Sequence, residues 1–226
     1  MNLNSRELIL ARLRERLGRN SNDQGEAVRQ RAAIENYVNT HAAGPRASSR
    51  TLSADDLLTQ FQEKALTLAS TVDRVPTWAQ IPAAVAQYLE QQGLPRQAVC
   101  WPELATLGWS TQGVFVENRP ARGDDRVGIT GCFAAVAETG TLVLCSGATT
   151  PATISLLPET HIAILATRRL VADMEAVWTL LRAEQNELPR AVNFVSGPSR
   201  TGDIEQTIVL GAHGPYRVHV IIVSEA

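Results

Sequence analysis

The chain has 226 residues, 44% of them hydrophobic and 19% charged, with a formal net charge of −2. That composition belongs to a globular protein of one to two domains and excludes disorder throughout. So even a charge balance gives no whole-chain electrostatic reason to bind nucleic acid or a membrane surface. Apolar runs such as residues 218–223 fall far short of the ~20 residues that span a bilayer. The opening is polar and carries Arg6, Arg12, Arg14 and Arg16, with no apolar signal core, so the expected address is the cytoplasm. Cys100, Cys132 and Cys145 lack CxxC spacing and stand beside Val99, Phe133 and Leu144, which predicts reduced, buried thiols. Four histidines add no ligand pair on a shared helical face, so no metal ligand is expected.

Residues 1–50 hold nine arginines against five acids, a local net of +4. Ile9, Leu10, Leu13 and Leu17 make one apolar stripe on a short helix that Gly18 is placed to end. The stretches 19–25 and 42–49 read as polar turns, which makes this region an arm rather than a core. Its stripe either docks on a partner chain or packs on its own domain. From residue 51 the pattern becomes regular. Ser53 and Asp56 form a capping-box pair ahead of Leu57, Leu58, Phe61, Ala65, Leu68 and Val72 at helical spacing, with Pro76 as the stop. Thr77 caps a second helix that runs to about residue 92, with Ile81, Val85, Tyr88 and Leu89 inward and Gly93 ending it. Strands follow at 98–101, 114–117, 127–130 and 141–144, while 134–137 reads as either a strand or a helical turn. Beyond them come a strand at 161–165, a helix at 171–181, and strands at 192–195 and 217–223. These strands are nearly continuous apolar runs, the mark of burial on both faces. Helices alternating with them predict a layered α/β sheet.

Three stretches could carry chemistry. Glu138, in the turn Ala137-Glu138-Thr139-Gly140-Thr141, ends one strand and precedes another, the place where open α/β sheets hold ligands. It is either a carboxylate for proton transfer or nucleophilic attack or a solvated turn residue. The run Ser196-Gly197-Pro198-Ser199-Arg200-Thr201-Gly202-Asp203 follows a strand and precedes residues 204–207, which could open a short helix. Its glycines, hydroxyls, arginine and free N–H groups make an anion cradle. Asp203 and Glu205 would oppose an anion there, and the alternative is a structural turn in which Arg200 pairs with one of them. His213, in Gly211-Ala212-His213-Gly214-Pro215, is either an acid, base or anion partner, or a hydrogen-bond anchor.

The runs Gly-Ile-Thr-Gly at 128–131, Ala-Glu-Thr-Gly-Thr-Leu-Val-Leu at 137–144, Ser-Gly-Pro-Ser-Arg-Thr-Gly-Asp-Ile-Glu-Gln-Thr at 196–207 and Gly-Ala-His-Gly-Pro at 211–215 resemble the lactate utilisation protein C family. The likeness covers about residues 55–224 and leaves the arm uncovered. It implies a LUD domain at 51–226 with a layered open sheet flanked by helices. That fold is akin to the ribose-phosphate isomerase, CoA-transferase and formyltetrahydrofolate cyclo-ligase group. It also implies a part in oxidising L-lactate to pyruvate, with two companion proteins that carry iron–sulfur clusters. This chain would be the cluster-free, non-autonomous subunit with a small carboxylate as substrate and no cofactor of its own. The chain carries no recognisable flavin or nicotinamide signature, so the electron acceptor would lie elsewhere. By fold analogy, Glu138 stands where the related transferases keep a reactive carboxylate. The expected site takes Glu138 and His213 as catalytic candidates. Its expected substrate contacts are Thr130, Thr139, Gly140, Ser196, Gly197, Ser199, Arg200, Thr201 and Gly214. A stand-alone transferase or isomerase acting on a CoA-linked or phosphorylated metabolite through Glu138, or a ligand-sensing scaffold, are the other readings.

Overall fold

The computed structural model describes residues 5–17, 24–41, 44, 52–185, 187–204 and 207–224, without the side chains of residues 24, 203, 204 and 207. The expected stop at Gly18, most of the two polar turns of the arm, and the carboxylates of Asp203 and Glu205 lie outside the described residues. Two compact units divide the chain, Met1–Pro45 and Arg46–Ala226.

The first unit contains helices α1 (Ser5–Arg16) and α2 (Gln24–Thr40). The α1 stripe forms, but Ile9, Leu13 and Leu17 stay exposed and no residue of the helix is buried. The pattern of residues 26–40 did not predict α2. Local pairs stabilise it instead: Arg29 donates to Glu26 at 3.0 Å, and Gln30 donates to the same carboxylate at 2.9 Å.

The second unit opens with α3 (Ala54–Thr67). Asp56 N–H donates to Ser53 Oγ at 3.1 Å and Ser53 N–H returns to Asp56 Oδ2 at 3.3 Å, closing the capping box. Leu58, Phe61 and Ala65 form the buried face. The helix does not run on to Pro76. Ala69 turns left-handed at φ +64°, Ser70 N–H closes onto Ala65 O at 3.0 Å, and the chain enters a strand. Val72, which fitted the helical stripe, belongs to that strand. Thr77 N–H donates to Gln80 Oε1 at the start of a 3-10 turn, Trp78–Gln80, that leads into α4 (Ile81–Gln91). Ile81, Val85, Tyr88 and Leu89 are buried, and Gly93 ends the helix region at φ +62°.

Twelve strands are described: β1 (Thr71–Val75), β2 (Gln97–Cys100), β3 (Phe115–Glu117), β4 (Val127–Gly131), β5 (Ala134–Val136), β6 (Thr141–Cys145), β7 (Thr160–Ala166), β8 (Leu170–Val171), β9 (Val192–Val195), β10 (Arg200–Ile204), β11 (Thr207–Leu210) and β12 (Arg217–Val223). A four-residue helix, α5 (Thr153–Leu156), precedes β7, and α6 (Met174–Glu184) follows β8. The helix expected at 171–181 therefore starts three residues later, where Asp173 caps it by accepting from Ala176 N–H at 2.8 Å.

The central sheet has the order β1-β12-β7-β4-β2-β3, and every neighbouring pair is parallel. One face of it packs on α4 through Ile129, Ile162, Ile164 and Ile221. The other packs through Ala163, Leu165, Val220 and Ile222 on α3 and on a second sheet of order β8-β5-β6-β9. That second sheet is antiparallel between β5, β6 and β9, and α6 covers its outer face through Val177. The unit is thus α/β, with a parallel sheet whose strands are buried on both sides as their apolar runs require. Residues 200–204 and 207–210 form a third, two-stranded antiparallel sheet, β10 with β11. Among the described residues, the short helix expected from residue 204 is replaced by strand at 204 and 207. The β-branched run Thr207-Ile208-Val209 prefers the extended backbone.

Candidate functional site

The sequence-derived residues gather at the amino edge of the parallel sheet. Gly140, at φ +67°, lets the β5–β6 turn touch the last turn of α3; a Cβ there would lie 2.6 Å from Ala65 N. Gly197, at φ +81°, brings the next segment onto the same helix end, where a Cβ would meet Leu68 O at 2.3 Å. A chain of hydroxyls joins the two segments: Thr139 Oγ1 lies 2.7 Å from Thr141 Oγ1, which lies 2.8 Å from Ser196 Oγ. Ser199 N–H donates to Pro215 O at 2.9 Å, and Gly214 abuts the Ser199 side chain, so the His213 loop joins the cluster. His213 is exposed and Glu138 half-buried, while Thr201 is the second residue of β10 and pairs with Val209.

The structure departs from three expectations. Helix α3 exits into β1, so its C-terminal turn marks the amino edge of the parallel sheet. Glu138 lies in the turn after β5, a strand of the second sheet, and the ligand rule for parallel strand ends does not apply to it. The anion cradle loses its helix start to the β10–β11 hairpin. Arg200 makes a specific structural contact instead: its Nη2 donates to Leu68 O at 3.3 Å, placing a cation against the carbonyl end of α3. Thr130 is not near this cluster's surface. It is fully buried in β4 and shares a 2.8 Å hydrogen bond with His161 Nε2.

The carboxyl edge of the parallel sheet presents a different set. From β2 the chain moves outward to β3, whereas from β4 it moves the other way, to β7 and then β12. Connections that diverge this way leave a crevice between the two strand ends. Beside it a cleft of about 270 Å³ opens at the carboxyl ends of β4 and β7 against the turn after β2, lined by Trp78, Glu103, Leu104, Gly131, Cys132, Ile164, Ala166, Arg168 and Arg169. Glu103 follows β2 in a 3-10 turn, and its Oε1 lies where only a glycine at 131 leaves room, since a Cβ would come within 2.5 Å. Arg169 is engaged: it donates to both oxygens of Glu184 at 2.8 and 2.7 Å and stacks over Phe133. Arg168, beside it in sequence, is exposed and makes no ion pair or side-chain hydrogen bond among the described residues. It also borders a second cavity, of about 470 Å³, with Arg74, Thr167, Ser224 and the start of α3. Burial, with the charge of Glu103 adding to it, pushes the Cys132 thiol up, so it stays protonated. A larger cavity at the amino edge, about 520 Å³, has its arginines paired: Arg119 with Asp125 and Glu117, Arg126 with Glu159.

No motif in the sequence surrounds Glu103, Arg168 or Trp78. The available signal was positional: each follows a β-strand of the parallel sheet.

A layered α/β core with polar side chains at the carboxyl edge of a parallel sheet defines a class of domain that holds small ligands at that edge. Residues 103–223 match the family model described as LUD domain, and the chain belongs to that family. It is 34% identical to Lactate utilization protein C of Bacillus subtilis (strain 168) over 55% of this chain and 54% of that one. To the protein of the same name from Bacillus licheniformis it is 32% identical over the same shares. To that of Shouchella clausii it is 28% identical over 76% of this chain and 81% of the other. In most of these comparisons the match spans about half the length of the curated relatives. A crystal structure of a DUF162 family protein from Deinococcus radiodurans superposes with a TM-score of 0.58 at 26% identity, covering 77% of this chain and all of that one. Among the described residues, no helix is long and apolar enough to cross a membrane.

Proposed function

We propose that this chain is the cluster-free LUD subunit of a cytoplasmic system that oxidises L-lactate to pyruvate beside two iron–sulfur proteins. The observation that supports it is the match of residues 103–223 to the LUD domain together with relatives named Lactate utilization protein C. Lactate oxidation releases two electrons and two protons, and the electrons need an acceptor that an ordinary side chain does not provide. In this reading the companion proteins accept them through their clusters, while this chain holds the small acid and contacts its partners. The amino-edge cluster is the contacting surface. Its hairpin exposes Ile208 at 70%, along with Val209 and Leu210, and Arg200 is engaged with α3. Glu138 and His213 border that surface.

Tagging the chain in its host and purifying it without air tests the reading. Two iron–sulfur proteins and lactate-dependent dye reduction are expected in the eluate. A solitary chain, with undiminished growth of a deletion strain on lactate, would overturn it. One observation favours the second reading, a transferase on CoA-linked metabolites: Glu138 is half-buried and its carboxylate has no partner among the described residues. Incubation with acyl-CoA followed by hydroxylamine would then modify the peptide bearing Glu138, and an unmodified peptide dismisses it.

A further inference from the structure

We propose that the cleft at the carboxyl ends of β4 and β7, closed by the turn after β2, binds a small 2-hydroxy carboxylate, with Arg168 holding the carboxylate and Glu103 accepting from the hydroxyl. The choice of a hydroxy acid rests on the lactate reading above; the cleft and its charges do not.

Size restricts the ligand first. Pockets for drug-sized ligands run from roughly 300 to 1,000 Å³. The cleft, at about 270 Å³, is suited to an acid of a few heavy atoms and too small for a nucleotide or a CoA group. Charge restricts it next. Of the two adjacent arginines, Arg169 is held by Glu184 and Phe133, which leaves Arg168 as the cation able to take up a planar carboxylate. Glu103 faces the same space and would repel a ligand that offers only negative charge. A ligand that also carries an O–H turns this repulsion into a charge-assisted hydrogen bond. Carboxylate and hydroxyl on adjacent carbons satisfy both groups at once. Trp78, Leu104 and Ile164 supply the apolar wall for a short carbon chain. No chemical step is assigned to either residue.

The full-length chain, labelled with nitrogen-15, is titrated with L-lactate, pyruvate and inorganic phosphate. The four indole N–H signals are followed, and Trp78→Phe assigns the one that borders the cleft. L-lactate should shift the Trp78 signal saturably and leave that of Trp178, which packs on Phe194 of the second sheet, in place. Pyruvate, which has no hydroxyl proton, should bind more weakly. Arg168→Gln should weaken L-lactate by about 10- to 100-fold, the loss expected for a charged hydrogen bond. Arg168→Lys should lose less. Glu103→Gln should narrow or reverse the preference for L-lactate over pyruvate. Unchanged indole spectra of the variants without ligand confirm that they fold. The proposal is overturned if L-lactate produces no Trp78 shift at ~100 mM, if Arg168→Gln binds as wild type does, or if phosphate competes equally with L-lactate. Growth of a deletion strain on lactate separates the two levels of inference. A wild-type copy that fails to restore growth removes the lactate reading. Full restoration by Arg168→Gln, with wild type also restoring it, removes the cleft and leaves the lactate reading intact.

Discussion

Gly140 and Ala69 occupy the same kind of backbone conformation, with opposite consequences for substitution. At Gly140 the left-handed φ coincides with a close approach to the backbone of α3. An alanine there meets about 1–2 kcal/mol of conformational strain and must also displace the helix end. Gly140→Ala should therefore lower the unfolding free energy by at least ~2 kcal/mol, seen as an earlier urea midpoint; a change below ~0.5 kcal/mol would contradict the contact. Ala69 pays the left-handed strain already, at φ +64° on an exposed turn. Glycine removes it and gives back ~0.5–1 kcal/mol in chain entropy. The net expectation for Ala69→Gly is a gain of ~0.5–1 kcal/mol, a rise of a few degrees in melting temperature, and a fall would count against it. The tight turns at Gly140 and Gly197 were legible from the motifs around them, whereas Arg200, expected to hold an anion, bonds Leu68 O. Arg168 and Glu103 were not legible, because a single charge after an apolar run looks the same whether it faces solvent or a cleft.

At the scale of elements, the capping chemistry was legible and the length of an element was not. Ser53 with Asp56 marked the start of α3 correctly, but Val72 kept helical spacing with Phe61, Ala65 and Leu68 although the chain had already turned at Ala69. Spacing alone carries no sign of such a turn when the residue that makes it is not glycine. At α6 the cap was hidden behind the short strand β8, and Asp173→Ala should cost about 1 kcal/mol by removing the acceptor of Ala176 N–H; an unchanged chemical-denaturation midpoint would show that the cap contributes nothing. At the β10–β11 hairpin, Gly-Asp followed by Glu-Gln mimics the start of a helix locally, although the chain forms strands on either side. Its exposed Ile208 gives a test that separates surface from core. Ile208→Ser should leave stability within ~0.5 kcal/mol of wild type, as exposed positions do, and should reduce recovery of the partner proteins in the anaerobic purification. Full recovery would remove the hairpin from the contacting surface.

For the whole molecule, the parallel sheet was legible because β4, β7 and β12 are apolar on both faces. The second sheet was not, since strand pairing across residues 134–195 leaves no local trace. That hidden layering decided which edge each candidate residue reached. It also encloses polar groups that make stability depend on pH. His161 lies between the two sheets, bonded to Thr130, and burial lowers its pKa from 6.5 to about 4. His219, on the opposite face, stacks on Tyr88 with ring centroids 3.9 Å apart and meets Thr71 Oγ1 at 2.8 Å. Burial holds it too below the usual range, with the nearby Asp73 carboxylate partly opposing the shift. A depressed histidine pKa means that the unfolded chain binds more protons than the folded one between the folded and unfolded values. Stability from these groups is therefore complete above about pH 6.5 and is lost as the pH falls toward 4. For His161 the difference amounts to about 3 kcal/mol over the full window. Urea midpoints taken at pH 7, 6 and 5 should fall steadily. His219→Phe, which keeps a ring to stack on Tyr88, should flatten roughly half of that fall. A wild-type midpoint constant from pH 7 to 5 would mean that neither imidazole is sealed from water, and that the sheets are packed less tightly than their buried faces require.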